Sequence, residues 1–243
     1  QSMFYLLHRF WKKEGEKMQI KLNLNIFIFI LIFLFTRQIE IYGILMLFAV
    51  IHELTHMLVG IVLGLKPKTF TIMPLGFSVG FRVDCLDYNK KVKKGTFLCI
   101  KKIMIALAGP MINFILAIFF LFVDTTFFGI DRQLVVYSNL LIGLFNCIPL
   151  YPLDGGRVVK NILHILLGKQ EAEKWSHNIS HMTIWLLTAV VSSGILYIRN
   201  IALLLVLGYL WGLVIIEGKK YKNKIKIYEA LEQTNLKEML EIK

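Results

Sequence analysis

The stretch Ala49–Gly60 reads AVIHELTHMLVG and lies inside an apolar segment at 41–64. His52 and His56 are four residues apart, so in a helix both imidazoles project from the same face. Two imidazoles at this spacing can bind one zinc ion, and Glu53 can act on water at the metal without being a ligand. The stretch therefore predicts an apolar helix that carries half of a metal site.

The depth of this motif sharpens its meaning. Its three ionisable residues lie near the middle of a 24-residue apolar segment, where a charged side chain costs about 2.5–3.5 kcal/mol. The alternative is two buried histidines satisfied by hydrogen bonds between helices, with a protonated Glu53. Three ionisable residues at metal-ligand spacing favour a bound cation.

The whole chain has the composition of a membrane protein. Apolar residues make up 56% of its 243 residues and the mean hydropathy is +0.64, whereas soluble domains are about 45–50% apolar. We expect an all-α polytopic membrane protein. Its six transmembrane helices are predicted approximately at 22–36, 41–64, 102–123, 134–153, 180–198 and 200–216.

The positive charge is distributed unevenly along the chain. The net charge is +12, and all but three of the 28 Lys and Arg residues fall in segments 1–21, 65–102, 154–178 and 217–243. This positive-inside bias predicts a multi-pass protein of the bacterial cell membrane with both termini in the cytoplasm. It also favours the lipid bilayer over nucleic acid as the partner of the basic residues.

Several segments differ from plain membrane helices. Residues 1–21 are amphipathic and predict an interfacial helix. Residues 67–84 combine β-branched and aromatic residues around Pro74 and Gly76, which predicts a small membrane-associated β-hairpin. Residues 157–168 predict a short amphipathic helix, and 217–243 a charged helical tail.

A third metal ligand is expected in the stretch NCIPLYPLDGGR at 146–157. Asp154 is the best candidate, because a catalytic zinc usually has three protein ligands and one open position. Pro149 and Pro152 interrupt the preceding helix, and the following glycines permit close backbone approach. The alternative is that Asp154 only caps the helix that follows.

For two asparagines and a group of lysines, the sequence allows both a functional and a structural role. Asn113 and Asn146 can donate to the oxyanion of a tetrahedral intermediate, or can simply bridge helices. The lysines are read mainly as topology determinants, with attraction of an acidic substrate as the alternative. They stand at 90, 91, 93, 94, 101 and 102.

Taken together, these motifs resemble the site-2 protease family of intramembrane zinc metalloproteases. HELTH and N-x-x-P-x-x-P-L-D-G-G match the family pattern without a gap, and Ala108-Gly109-Pro110-x-x-Asn113 looks like a further family element. The resemblance covers roughly residues 20–218 and makes 22–216 the protease domain. It implies one zinc ion as cofactor.

The resemblance also implies roles for individual residues. His52, His56 and Asp154 would be the zinc ligands and Glu53 the catalytic base. Asn146 and Pro152 would shape the site or contact the substrate.

Within the family, the six-helix plan most resembles the sporulation branch of the stage IV sporulation protein FB type. This implies cleavage of a membrane-associated sigma-factor precursor and a possible membrane-protein regulator. That branch typically carries a C-terminal CBS domain, whereas only 217–243 follow the last predicted membrane helix, so no nucleotide binding is carried over.

Two other functions remain open. One is a site-2 protease that acts on an anti-sigma factor or a signal-peptide remnant. The other is a non-catalytic zinc-binding membrane protein, against which the intact Glu53 argues because such a protein needs no base beside the metal.

Overall fold

The chain is mostly helical, with one small sheet. The computed structural model describes residues 19–22, 24–73, 76–82, 92–123, 131–198 and 201–241. In chain order the elements are β1 (Gln19–Leu22), α1 (Asn25–Phe35), α2 (Ile39–Val62), β2 (Lys66–Met73), β3 (Gly76–Arg82), α3 (Val92–Phe122), α4 (Arg132–Asn146), α5 (Asp154–Leu167), α6 (Lys169–Ile198) and α7 (Ile201–Glu241).

Each predicted apolar segment falls on a described helix, but some boundaries were wrong. The helix predicted at 134–153 ends at Asn146, because Pro149 and Pro152 lack the N–H that a continuing helix needs. The segment at 200–216 and the tail at 217–243 form one continuous helix, α7. The predicted domain boundary at 217 is therefore not marked by any break in the helix.

Two described helices are long and apolar enough to cross a membrane, judged by length and composition. They are Ile39–Val62 and Thr96–Phe122. The outer face of α3 exposes a stripe of large apolar side chains at helical spacing: Ile100, Met104, Leu107, Met111, Ile115, Ile118 and Phe122. A continuous apolar stripe of this kind indicates contact with lipid or with another protein.

The sheet has the strand order β1-β2-β3. Strands β2 and β3 are antiparallel, with Met73 opposite Gly76, which agrees with the predicted hairpin over 67–73 and 76–82; positions 74–75 and 83–84 lie outside the described residues. β1 runs parallel to β2, with Gln19 opposite Thr69. Among the described strands, β1 and β3 therefore form the two edges of the sheet, and only β2 is paired on both sides.

The strand β1 was not expected. An interfacial helix had been predicted over 1–21, and that prediction is wrong for 19–21, which form a strand. The strand forms because a distant segment, β2, offers its edge, and such pairing overrides local preference. Residues 1–18 lie outside the described residues.

Two apolar clusters hold the parts that carry the motifs. Phe48 of α2 packs with Ala117 and Phe120 of α3 and Val135 of α4. A second cluster buries Leu150 completely, with residues of α6 and α7 around it: Ile184, Leu207, Leu210 and Val214. The first cluster fixes the HELTH helix, and the second anchors the proline-rich segment that leads to Asp154.

Candidate metal centre and active site

Three potential metal ligands from two distant segments meet in the interior. Helix α2 provides His52 and His56, and the first residue of α5 provides Asp154; all three are buried. Their ligand atoms, the two Nε2 atoms and Asp154 Oδ2, are each 3.0 Å from the other two. These three residues can hold a metal ion.

The proline-rich segment places Asp154 by close backbone packing. A Cβ atom at Gly155 would overlap the carbonyl of Cys147, and one at Gly156 would overlap the amide nitrogen of Tyr151. The N-cap residue of α5 is Leu153, which makes no side-chain capping bond. The carboxylate of Asp154 reaches the two histidines, so the geometry favours the ligand interpretation over the helix-capping alternative.

A chain of hydrogen bonds fixes the orientation of His52. Asn139 Nδ2 donates to the carbonyl of Val135 at 2.9 Å, so the Oδ1 atom of Asn139 is the atom that faces Asn113. Asn113 must then donate through Nδ2, at 3.0 Å, and its Oδ1 accepts from His52 Nδ1 at 2.6 Å. A carbonyl oxygen only accepts, so the proton of a neutral His52 lies on Nδ1.

His56 is oriented in the same sense. Its Nδ1 donates to the carbonyl oxygen of Ile105 at 2.6 Å. With both protons on Nδ1, the Nε2 atoms of His52 and His56 present lone pairs to each other and to the carboxylate of Asp154. Such an arrangement of partners is what orients imidazoles around a metal.

This donor set fits a zinc ion. Three buried lone-pair atoms 3.0 Å apart repel one another unless a proton or a metal cation lies among them, and a metal cation can bond to all three at once. Two imidazole nitrogens and one carboxylate oxygen are typical ligands of catalytic zinc. Gly109 keeps the space open, because a Cβ there would overlap both Nε2 atoms.

Glu53 lies beside the three ligands, on α2. It is buried, and Oε1 accepts a hydrogen bond from the backbone N–H of Val79 in β3. Glu53 and His56 line a cavity of about 420 Å³, together with Val79 and Phe81 of β3. The edge of the sheet therefore reaches the carboxylate that the sequence assigned as the base.

Comparison with curated proteins identifies several relatives. Zinc metalloprotease MJ0392 of Methanocaldococcus jannaschii is 32% identical over 165 residues, which is 65% of this chain and 45% of the relative. The putative zinc metalloprotease sll0528 of Synechocystis is 31% identical over 165 residues, 65% of this chain and 41% of the relative. The putative zinc metalloprotease Rip3 of Mycobacterium tuberculosis is 34% identical over 131 residues, 50% of this chain and 30% of the relative. The chain thus spans less than half the length of these curated relatives.

A family pattern and a solved structure agree with these relatives. The pattern of peptidase family M50 matches residues 132–190, which include Asp154. A site-2 protease from Methanocaldococcus jannaschii has a similar structure, with a TM-score of 0.61 and 25% identity, over 82% of this chain and 89% of that one. Together these findings support the site-2 protease (M50) family. These likenesses agree with the predicted zinc metalloprotease class and with zinc as the predicted cofactor.

The predicted site residues other than the ligands and Glu53 lie in different settings. Asn113 uses its oxygen for His52 and a donor for Asn139, a geometry that supports ligand positioning more than oxyanion binding. Asn146 is half-buried at the end of α4 and donates to the carbonyl of Ile142 at 3.0 Å. Pro152 is half-buried in the segment that precedes Asp154.

Sequence reasoning missed two contributors to the site. Asn139 was overlooked although it is an uncharged amide in an apolar helix, a feature that by itself indicates an interhelical partner. The carbonyl of Ile105 carries no side-chain signal at all, since any residue supplies one.

The cavity beside Glu53 is lined by several positively charged side chains. Lys160 and Lys224 both pair with Glu173, at 2.9 and 3.1 Å, and join α5, α6 and α7. Burial alone would raise the pKa of Glu173, but the two ammonium groups hold it below its usual value. Burial and the nearby Lys102 and Lys169 ammonium groups lower the pKa of His164. This imidazole is therefore neutral near neutral pH.

Proposed function

We propose that this chain is an intramembrane zinc metalloprotease that hydrolyses a peptide bond of a membrane-associated protein substrate. The observation that carries the proposal is that Asp154 of α5 meets His52 and His56 of the apolar helix α2, beside Glu53 and next to a cavity. A purely structural metal site is usually closed by four protein ligands, whereas a catalytic one keeps a position open.

The division of labour follows from the contacts. His52, His56 and Asp154 would hold one zinc ion, and the partners of the two imidazoles keep their Nε2 atoms free to do so. Zinc supplies Lewis-acid chemistry, lowering the pKa of water and polarising a carbonyl.

Glu53 acts as general base and then as general acid. It takes a proton from the attacking water and later delivers it to the nitrogen of the leaving amine. The Val79 amide fixes Oε1, so we assign the proton transfer to Oε2.

The substrate backbone must be extended before it is cut, because a helix hides its amides in internal hydrogen bonds. We propose that the substrate pairs as a strand with β3. Its Val79 N–H points away from β2 and towards Glu53. A strand added at this edge would lie alongside the catalytic carboxylate.

Asn146 and Pro152 are proposed to shape the wall of the site or to contact the substrate. Asn146 stands where α4 ends and the segment leading to Asp154 begins. Its amide uses one donor for Ile142, and an amide has a second N–H. That second donor is the group we propose for oxyanion stabilisation.

The arrangement in the bilayer is proposed as six spans with both termini on the cytoplasmic side of a bacterial cell membrane. Beyond α2 and α3, two further helices expose large apolar side chains that support this arrangement. They are Tyr137, Leu141 and Leu144 of α4, and Met182, Trp185, Leu186 and Val190 of α6. The substrate would then reach the site from within the membrane or its cytoplasmic surface.

The identity of the substrate rests on resemblance alone. A sigma-factor precursor, cleaved during sporulation by regulated intramembrane proteolysis, is the substrate that the sporulation branch implies. An anti-sigma factor or a signal-peptide remnant is the alternative, and a membrane-protein regulator is compatible with each.

Co-expression with a membrane-tethered substrate tests the proposed activity. We expect the wild type to cleave it and Glu53→Gln to retain zinc while losing about 10²–10⁴-fold in rate. Normal cleavage by Glu53→Gln would show that Glu53 is not the base. A wild type that binds zinc and cleaves none of the candidate substrates would favour a non-catalytic zinc protein.

A further inference from the structure

The catalytic cavity has an unbalanced positive lining. Five Lys and Arg side chains line it against two carboxylates, Glu53 and Glu173. Glu173 is already shared between Lys160 and Lys224. Arg157 is 3.4 Å from Asp154, whose other oxygen faces the histidines. The two carboxylates that line the cavity are therefore too few to neutralise its five cations.

Lys102 is the cavity-lining cation that these carboxylates do not neutralise. It is half-buried on α3, and within the described part of the chain it makes no ion pair with a carboxylate. Its charged neighbours Lys160 and Lys169 repel it. Placing an ammonium in such a site costs free energy unless an anion joins it. A cleft lined by one sign of charge also concentrates ligands of the opposite sign.

The position of Lys102 relates it to the reacting bond. It precedes Ile105, whose carbonyl orients His56, by three residues, about one helical turn on the same face. Val79 and Phe81 of β3 line the same cavity. A substrate strand advances about 3.3 Å per residue, so an ammonium about one helical turn, roughly 5.4 Å, from this carbonyl would face side chains about two or more residues from the cut bond.

We infer that Lys102 forms a carboxylate-binding subsite that selects substrates with an Asp or Glu side chain a few residues from the scissile bond. The inference rests on the proposed function, because it assumes that the cavity holds the substrate peptide. An anionic lipid headgroup offers a similar charge, but a peptide is favoured because Val79 and Phe81 of the edge strand β3 line the same cavity.

Binding to the inactive protein tests the subsite without requiring cleavage. Zinc-loaded Glu53→Gln protein in phosphatidylcholine nanodiscs is titrated with fluorescein-labelled peptides of Ala and Val, about ten residues long. Each carries one Glu, or one Gln at the same position, and that position is scanned along the peptide. We expect the Glu peptide to bind about tenfold more tightly at one or two adjacent positions.

Substitution then assigns the preference to one residue. In the Glu53→Gln background, Lys102→Gln is expected to reduce the preference to less than about twofold, and Lys102→Glu to reverse it in favour of a Lys-bearing peptide. Lys101→Gln is the matched control: it removes the same charge from the adjacent residue. The Lys101 ammonium donates to the carbonyl of Leu63 and is not among the residues that line the cavity, so the preference is expected to persist.

The outcomes separate this inference from the proposed function. Equal binding of Glu and Gln peptides at all positions overturns the subsite, even if the wild type cleaves a reporter. A preference that survives Lys102→Gln also overturns it. Lys102-dependent retention of phosphatidylglycerol in nanodiscs, without a peptide preference, would assign the anion to lipid instead. If the Glu preference depends on Lys102 but the wild type cleaves nothing, the subsite stands and the proposed activity fails.

Discussion

Asn139 Nδ2 lies 2.9 Å from the carbonyl oxygen of Val135. Through Asn113, which links Asn139 to His52, this hydrogen bond determines which nitrogen of His52 carries the proton. Replacing Asn139 with Leu removes the acceptor that holds Asn113. We expect zinc affinity to fall about 10–100-fold, the usual effect of losing an outer partner of a metal-binding histidine. Competition with a chromogenic zinc chelator measures it.

Asn146→Leu is the matched control for Asn139→Leu. Both side chains stand on α4 and donate to the carbonyl four residues earlier, but among the described residues Asn146 makes no hydrogen bond to the ligand histidines. We expect zinc affinity to be unchanged in Asn146→Leu. Equal loss of zinc in the two variants would mean that the effect comes from the helix rather than from the orientation of His52.

Gly109 faces the space between the ligand nitrogens. We expect Gly109→Ala to abolish stoichiometric zinc binding, because the added Cβ would overlap the Nε2 atoms of His52 and His56. Zinc content and circular dichroism, measured on the same sample, separate loss of the metal from loss of the fold. Gly43→Ala on α2 is the control, since a Cβ there meets nothing within 4 Å. A zinc-loaded Gly109→Ala protein would contradict the placement of the metal.

The outer edge of β3 is the proposed docking strand for substrate. Because Val79 directs its N–H outward, the alternate residue Phe81 is expected to do the same. Phe81→Pro removes that donor, and we expect cleavage to fall at least about tenfold with zinc content unchanged. Phe81→Ala is the control: it keeps the N–H but removes the ring that packs against Gly60, so it measures the effect of losing the ring alone. Equal cleavage by the Pro and Ala variants would argue against strand pairing.

Glu173 joins α5 and α7 through two lysines, so its ionisation is coupled to folding. The pKa of Glu173 is below its usual value in the folded protein. Its contribution to stability is therefore present above the unfolded pKa, about 4.3, and is lost as the pH falls through the lower folded value. We expect Glu173→Gln to lower the free energy of unfolding by about 1–3 kcal/mol at pH 7.

The pH dependence provides the check on Glu173. Thermal unfolding in detergent, followed by circular dichroism, should show the difference between wild type and Glu173→Gln at pH 7 and its decrease below about pH 4. Glu171→Gln is the control, because its partner Lys174 is exposed and lies on the same helix. A difference that does not change with pH would mean that the carboxylate charge is not what stabilises this contact.

Much of the site was predictable from local sequence patterns. The geometry of HELTH follows from local sequence, because helical periodicity alone brings His52 and His56 to one face. The two prolines and paired glycines before Arg157 mark a break at which Asp154 can turn inward. The two strands of the hairpin were predictable from their β-branched and aromatic residues, on either side of Pro74 and Gly76 in the sequence.

What the sequence left open depends on contacts between distant segments. The strand β1 forms only because β2 presents an edge to it. The role of Asn139 depends on Asn113, which is 26 residues away on another helix. The excess charge at Lys102 becomes visible only when α5, α6 and α7 place their own charges around the same cavity.

The central claim is that two motifs about a hundred residues apart form one zinc centre, since Asp154 lies 102 positions after His52. Zinc content per chain, measured by atomic emission on purified wild type and Asp154→Ala, tests it most directly. We predict one zinc ion per wild-type chain and less than about a tenth of that in Asp154→Ala after dialysis against a weak chelator, because two histidines alone leave the metal weakly held. A wild type without zinc, or an Asp154→Ala protein that keeps a full equivalent, would contradict the account.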